Sequence, residues 1–194
     1  MRSWTIKLVL LTLSVAFVNL ALAQTKYSVQ DFSVQIKGTS NLHDWTADTK
    51  KATGSFLIQQ EGNELKDIQS LQVVVDATSL KGSKGSIMDD KIADALNSKK
   101  HPKITYTLTK VNSFTSEGSG YKVSTTGTLT ISGVTQNVTI NATGKLLPNG
   151  AIEFTGEKAL KMTSFKVEPP TAMFGAMKTG DEVTIDFKVV IKQQ

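Results

Sequence analysis

Residues 121–142 read YKVSTTGTLTISGVTQNVTINA. Tyr121, Val123, Leu129 and Ile131 alternate with Lys122, Ser124, Thr128 and Thr130, the period of two expected of a strand with one buried face. Ser132-Gly133 supplies a tight turn. Val134, Val138, Ile140 and Ala142 then alternate with Thr135, Asn137, Thr139 and Asn141. The stretch predicts a β-hairpin with one apolar face and one threonine-rich face.

Working outward, the same period returns at the carboxyl end, where Val183, Ile185, Phe187, Val189 and Ile191 are set against Thr184, Asp186 and Lys188. Shorter alternations predict strands over 27–36, 44–59, 68–76, 104–111 and 151–160. Turn residues separate them at Glu61-Gly62-Asn63, at 117–120 and at Pro148-Asn149-Gly150. Eight strands with one apolar face each predict an all-β domain, either a closed barrel or a sandwich. One stretch breaks the rhythm: over 86–98, Ile87, Ile92, Ala95 and Leu96 fall on one helical face. Ser86 and Asp89 offer an amino-terminal cap there, while Asp90 and Asp94 read as its solvated side. A second irregular region, 162–180, mixes Pro169-Pro170 with Met162, Phe165, Met173, Phe174 and Met177.

The first residues read as an address. Arg2 and Lys7 precede an apolar run over 8–22, and Ala21-Leu22-Ala23 has the small-x-small form of a cleavage site. Residues 1–23 are therefore expected to be a signal peptide and 24–194 the mature domain, periplasmic or secreted. No cysteine is present, which removes disulfides, thiol catalysis and thiolate metal sites. The formal charge of +5 includes Arg2, the only arginine, and Lys7. Without further guanidinium groups, and with dispersed lysines, nucleic acid is not an expected partner.

Reactive constellations are few. The Gly82–Ser86 letters do not form a nucleophile elbow, and Gly175 to Gly180 is followed by Asp181 where a phosphate loop needs lysine. Asn137-Val138-Thr139 and Asn141-Ala142-Thr143 fit a glycosylation pattern, but Asn and Thr are ordinary on a strand's outer face. The two histidines, His43 and His101, stand far apart. Neither a metal site nor a cofactor is expected, and no catalytic residue is assigned. The densest motif is Gly38-Thr39-Ser40-Asn41-Leu42-His43-Asp44-Trp45. It reads either as a strand connection, with Trp45 in the core and His43 bonded to backbone or Asp44, or as a polar cluster at a cavity mouth.

With Gly38-Thr39-Ser40 and His43-Asp44-Trp45, the chain resembles the YceI-like family of bacterial periplasmic or secreted proteins. The likeness continues through 88–96 and His101-Pro102-Lys103-Ile104 to the stretch 127–135, GTLTISGVT, and spans roughly Tyr27 to Lys192. The resemblance implies an extended, lipocalin-like antiparallel barrel of eight strands, with a short helix in a loop excursion. Its apolar interior would hold a long-chain ligand: an isoprenoid, an isoprenoid quinone, or a fatty acid or amide. The family carries no agreed catalytic residues.

On this reading Phe32, Phe56, Val73, Tyr106, Leu108, Leu129, Ile131, Val138, Ile140, Ile185 and Phe187 point into the barrel, joined by Trp45, Phe165 and Phe174. Met88, Met162, Met173 and Met177 would form an adaptable entrance. Ser40, His43 and Asp44 are the expected head-group contacts. Delivery would bring transient membrane contact, and a homodimer is compatible with the sequence. Two rivals follow from the same strands: a structural or adhesion module with a packed interior, and a hydrolase using His43 as base. A His-Asp pair without a nucleophile argues against the second. The exported chain is expected to begin at Gln24; intact mass of the secreted product checks this, and a mass that retains residues 1–23 contradicts it.

Overall fold

The computed structural model describes residues 23–62 and 64–194. The leader expected over 1–23 lies outside them but for Ala23, as does Asn63 of the first expected turn. Eleven strands follow in order: β1 Ala23–Ser40, β2 Trp45–Thr49, β3 Ala52–Glu61, β4 Glu64–Asp76, β5 Lys81–Gly82, β6 Lys103–Glu117, β7 Gly120–Ile131, β8 Val134–Leu146, β9 Ile152–Lys161, β10 Thr171–Ala172 and β11 Met177–Gln193. One helix, α1 Ser86–Ala95, lies between β5 and β6. Short 3-10 turns occupy Ala77–Ser79, Met162–Phe165 and Met173–Gly175.

The 121–142 hairpin forms as β7 and β8, in register from Ile131–Val134 to Gly120–Lys145. Ser132 and Gly133 both have positive φ, 50° and 77°, as a two-residue turn matched to strand twist requires. His101 packs over this turn, leaving 2.7 Å between its Cε1 and the place a Cβ on Gly133 would take. Val123, Thr125, Leu129 and Ile131 are buried along one face of β7, while the alternate residues are not.

Eight strands close into an antiparallel barrel in the order β1, β3, β4, β6, β7, β8, β9, β11 and back to β1. The strand expected over 44–59 is one line of chain in two pieces: Val34–Thr49 and Ser28–Ser55 pair in the same register against β1. The interruption falls at Lys50-Lys51, both exposed. Successive side chains of a strand face opposite sides, so an unbroken strand would turn one ammonium inward. The break lets both face water.

The two ends of the barrel differ. Tyr27, Phe56, Ile58, Leu65, Ile68, Val123, Ile152, Phe154 and Ile191 pack together and fill one end, with Phe56 and Phe154 stacked at 6.2 Å. Residues 76–102, including α1, cross the other. The helix starts differently from expectation. Gly85 (φ 83°) is its cap residue, without a side-chain cap bond, and Ser86 is already inside. Asp89 instead reaches back to Gly82 N (2.7 Å) and Lys81 Nζ (3.0 Å), pinning β5 to the helix. Among the described residues, no helix is long and apolar enough to cross a membrane.

The wall also has two seams. β4 pairs β6 only at Gln72–Asp76 with Lys103–Thr107, and β8 pairs β9 only at Asn141–Leu146 with Ile152–Glu157. The second seam opens at the helix-covered end. The Met162–Phe165 turn fills it: Phe165 is 2% exposed, and Gln136 Nε2 donates to Ser164 O at 2.9 Å.

Between the two ends, the Tyr106 ring lies across Gly127 and its hydroxyl meets Thr125 Oγ1 at 2.9 Å, both groups buried. Burial pushes the Tyr106 hydroxyl pKa above its ordinary value, partly offset by the Thr125 bond. A Cβ on Gly127 would come within 2.4 Å of Thr107 O and 2.6 Å of the ring. Gly127→Ala is therefore expected to cost about 1–3 kcal/mol in urea unfolding; an unchanged midpoint would contradict this packing.

Candidate functional site: an apolar cavity at the covered end

The covered end of the barrel holds a cavity of about 470 Å³, within the size range of pockets that enclose small-molecule ligands. Its walls follow from the strand period. β1 contributes Phe32, Val34 and Ile36, β11 contributes Val183, Ile185 and Phe187, and their register sets Val34 beside Phe187 and Ile36 beside Ile185. Phe32 belongs both to the packed core and to the cavity, so it forms the boundary between them. Met88, Ile92 and Ala95 of α1, with Leu96 just after it, cover the space, and Met162, Phe165 and Val167 close its side.

The 38–45 motif builds part of the rim. Gly38 pairs with Trp45 across β1 and β2, and the indole lies directly on the glycine, leaving 2.2 Å where a Cβ would sit. Trp45 Nε1 donates to Thr39 O at 3.0 Å. Ser40 Oγ accepts from Leu42 N and His43 N and donates to His43 O, which satisfies the turn locally. Asn41 donates to Ala176 O and accepts from Lys178 N, fastening the turn to the β10–β11 hairpin. His43 Nδ1 stands 3.1 Å from Asp44 O, a contact that requires the proton on Nδ1. Much of this motif is thus explained by backbone satisfaction, and its side chains still reach the mouth.

The expected site residues separate into groups. Phe32, Trp45, Leu129, Ile131, Ile140, Phe165, Ile185 and Phe187 line the cavity, as do Ser40 and His43 at its mouth. Phe56 packs in the filled end; Tyr106 and Val138 are buried in the second core cluster; Val73 and Leu108 pack against the core. These five do not line the cavity: Phe56, Val73 and Leu108 belong to the filled end, and Tyr106 and Val138 pack behind the lining residues Leu129, Ile131 and Phe165. Asp44 does not line it either; it is exposed beyond the rim. Phe174, expected inside, is fully exposed, with φ 54° in the tight turn before β11. That left-handed residue reverses the chain and carries the ring outward. Met88, Met162 and Met177 line the cavity; the side chain of Met173 lies outside the described part.

Sequence reasoning missed Val34, Ile36, Leu80, Val167 and Lys158, all of which line the space. Val34 and Ile36 continue the two-residue period from Phe32, a signal that was present. Leu80 and Val167 sit outside regular strands, where no period exists. Lys158 shares parity with Phe154 and Leu160 on β9, but its charge reads as outward. Among the described residues, no group of His, Asp or Glu could hold a metal ion.

A model of the YceI-like domain matches residues 14–191. The structure is similar to BcnA from Burkholderia cenocepacia, at 24% identity and TM-score 0.63, covering 82% of this chain and 95% of that one. A polyisoprenoid binding domain from Saccharophagus degradans, implicated in plant cell wall breakdown, aligns at 15% identity and TM-score 0.65, covering 87% and 98%. A Campylobacter jejuni YCEI protein aligns at 19% identity and TM-score 0.52, covering 100% and 99%. No curated protein matches the chain.

The cover over the cavity has an electrostatic latch. The Gly82 amide, then the Lys81 ammonium, hold the Asp89 carboxyl pKa below its ordinary value. A lowered carboxyl pKa stabilises the folded form above the ordinary carboxylate range and loses that contribution as pH falls through the lowered value. Asp89→Asn is expected to raise amide exchange over 81–96 at neutral pH and to leave β7 and β8 protected. Acidification should loosen the same segment in the unsubstituted protein; equal exchange in both proteins at both pH values would contradict the latch.

Proposed function

Because the chain belongs to the YceI-like family, we propose that it is an exported carrier that holds a long-chain apolar ligand in the covered end of its barrel. The observation that carries this reading is the cavity itself: apolar side chains of β1, β8, β9 and β11 face an unfilled space, while the opposite end of the same barrel is packed. Filling both ends would be the stable solution for a structural module, since voids cost their lining atoms contacts. The Saccharophagus degradans domain of the same fold is a polyisoprenoid binder, which fits an isoprenoid, a quinone tail or a fatty chain here.

The driving force is burial. Each methylene that leaves water gains roughly 0.8 kcal/mol, so a twelve-carbon chain gains on the order of 10 kcal/mol before ordering costs. No chemistry is assigned to His43, whose Nδ1 is engaged with the neighbouring carbonyl. Exchange proceeds through the covered end. There Lys91 Nζ donates to Thr171 O at 3.0 Å, which joins α1 to the β10–β11 hairpin. Leu42, Ile87 and Phe174 are large, apolar and exposed in the segments around this mouth, giving ligand transfer a surface that can meet a membrane. The amino-terminal leader supplies export to the periplasm or beyond.

Solvent extraction of purified protein followed by mass spectrometry tests the reading. A stoichiometric apolar compound is expected, either as purified or after incubation with mixed bacterial lipids and quinones. A folded Leu129→Asp/Ile131→Asp protein is expected to release none; retention by that protein, or a clean extract from the unsubstituted one under both conditions, would overturn the carrier assignment.

A further inference from the structure

Every charged residue that lines the cavity is a lysine: Lys84, Lys91, Lys158 and Lys161, with no aspartate or glutamate among the lining side chains. Three are readily explained at the rim. Lys84 is exposed, Lys91 bonds Thr171 O, and Lys161 stands 3.9 Å from Glu182. Lys158 is different. On β9 the inward residues are Ile152, Phe154, Gly156, Lys158 and Leu160, alternating with Glu153, Thr155, Glu157 and Ala159. Its partner in the ladder is Ile185, itself a lining residue, which sits one step nearer the mouth than Phe187 on the floor. The ammonium stem therefore leaves the wall among Ile140, Leu160 and Ile185, below the rim.

No carboxylate answers it. Among the described residues Lys158 has neither an ion pair nor a side-chain hydrogen bond, although seven other lysine–carboxylate contacts form on the surface. Asp186, next to its ladder partner, faces outward and pairs with Lys37. Its aliphatic stem follows the apolar wall, and its ammonium is left without a counter-charge from the protein. β9 also leaves β8 at this residue: the last β8–β9 pair is Asn141–Glu157. Lys158 thus stands at the top of the ladder, where the seam begins.

We propose that the ligand is an acidic amphiphile, a long hydrocarbon chain ending in a carboxylate or phosphate, and that Lys158 is the head-group contact. The assignment rests on the carrier reading and sharpens it. Neutral quinones and amides, which would leave Lys158 without a counter-charge, become weaker ligands than acids of equal tail. The lysines of the rim, Lys84 and Lys91, attract the same head group at the mouth. Ser40 and His43, at the rim, then sit above the anchoring point and are not the main head-group contacts.

Two matched pairs of probes test this, oleate against oleyl alcohol and geranylgeranyl phosphate against geranylgeraniol, titrated into delipidated protein by calorimetry. The acid is expected to bind at least tenfold tighter than its alcohol in one or both pairs, the effect of one charge-assisted hydrogen bond. The pair that shows the preference identifies the head-group chemistry. In Lys158→Met the ratio should fall within threefold while the alcohol still binds, which also reports that the barrel is intact; Lys158→Arg should keep the preference. Equal binding of acid and alcohol by the unsubstituted protein, or a preference that survives Lys158→Met, would overturn the proposal and leave the carrier reading standing. Failure of all four probes to bind would sink the carrier reading on which it depends.

Discussion

The pairing of β1 with β11 holds this structure closed. The two strands, from opposite ends of the described chain, run together from Tyr27–Gln193 to Ser40–Thr179. Without that ladder the sheet would have two long free edges, each a template for aberrant pairing. With it, every main strand has neighbours on both sides, and side chains of one parity are committed to an enclosed interior. That commitment is what makes a cavity affordable: the backbone is satisfied by the ladders, so the interior need not be filled to hold the barrel together.

The interior is then divided unequally. Aromatic and branched residues fill one end, where Phe56 stacks on Phe154 and Ile58, Ile152 and Ile191 are fully buried. At the other end the strands that could have met in a similar core are covered by the 162–167 segment, where Phe165 and Val167 are buried, and by α1, whose contacts are lighter. The helix has no fully buried residue, and its attachment relies on Asp89, Lys91 and Ser132, the last donating to Leu96 O. Rigid ladders below and a lightly held cover above suit a site that must admit a ligand and then shield it. The same asymmetry explains why a lysine is tolerated inside: Lys158 lies just beyond the last β8–β9 pair, where the wall has begun to part.

Much of the barrel was legible because a period of two needs only parity to be read. The β7–β8 hairpin, its Ser132-Gly133 turn and β11 are all visible as alternation in one dimension. The helix was visible for the analogous reason, though its start was misplaced: Asp89 serves β5, a two-residue strand too short to show any period. Parity also tells inside from outside, which is why Leu129, Ile131, Ile140, Ile185 and Phe187 could be read as inward, the side on which the cavity lies. It cannot tell how far along the barrel the filling ends. Phe56 shares the inward face with cavity residues, yet lies in the filled end. Phe174 and Asp44 escaped because turns, not periods, direct their side chains. Lys158 was missed: it shares parity with Phe154 and Leu160, but its charge reads as outward.

The apolar tail occupies the covered end and stops at Phe32. Methyl-resolved NMR of the protein with a bound fatty acid, read through NOEs from the ligand's hydrocarbon tail, bears on this without an intermediate step. NOEs are expected to Val34, Leu129, Ile140 and Ile185, with none to Val123, Ile152 and Ile191. NOEs to the second set, or only to exposed residues such as Ile87, would place the tail elsewhere.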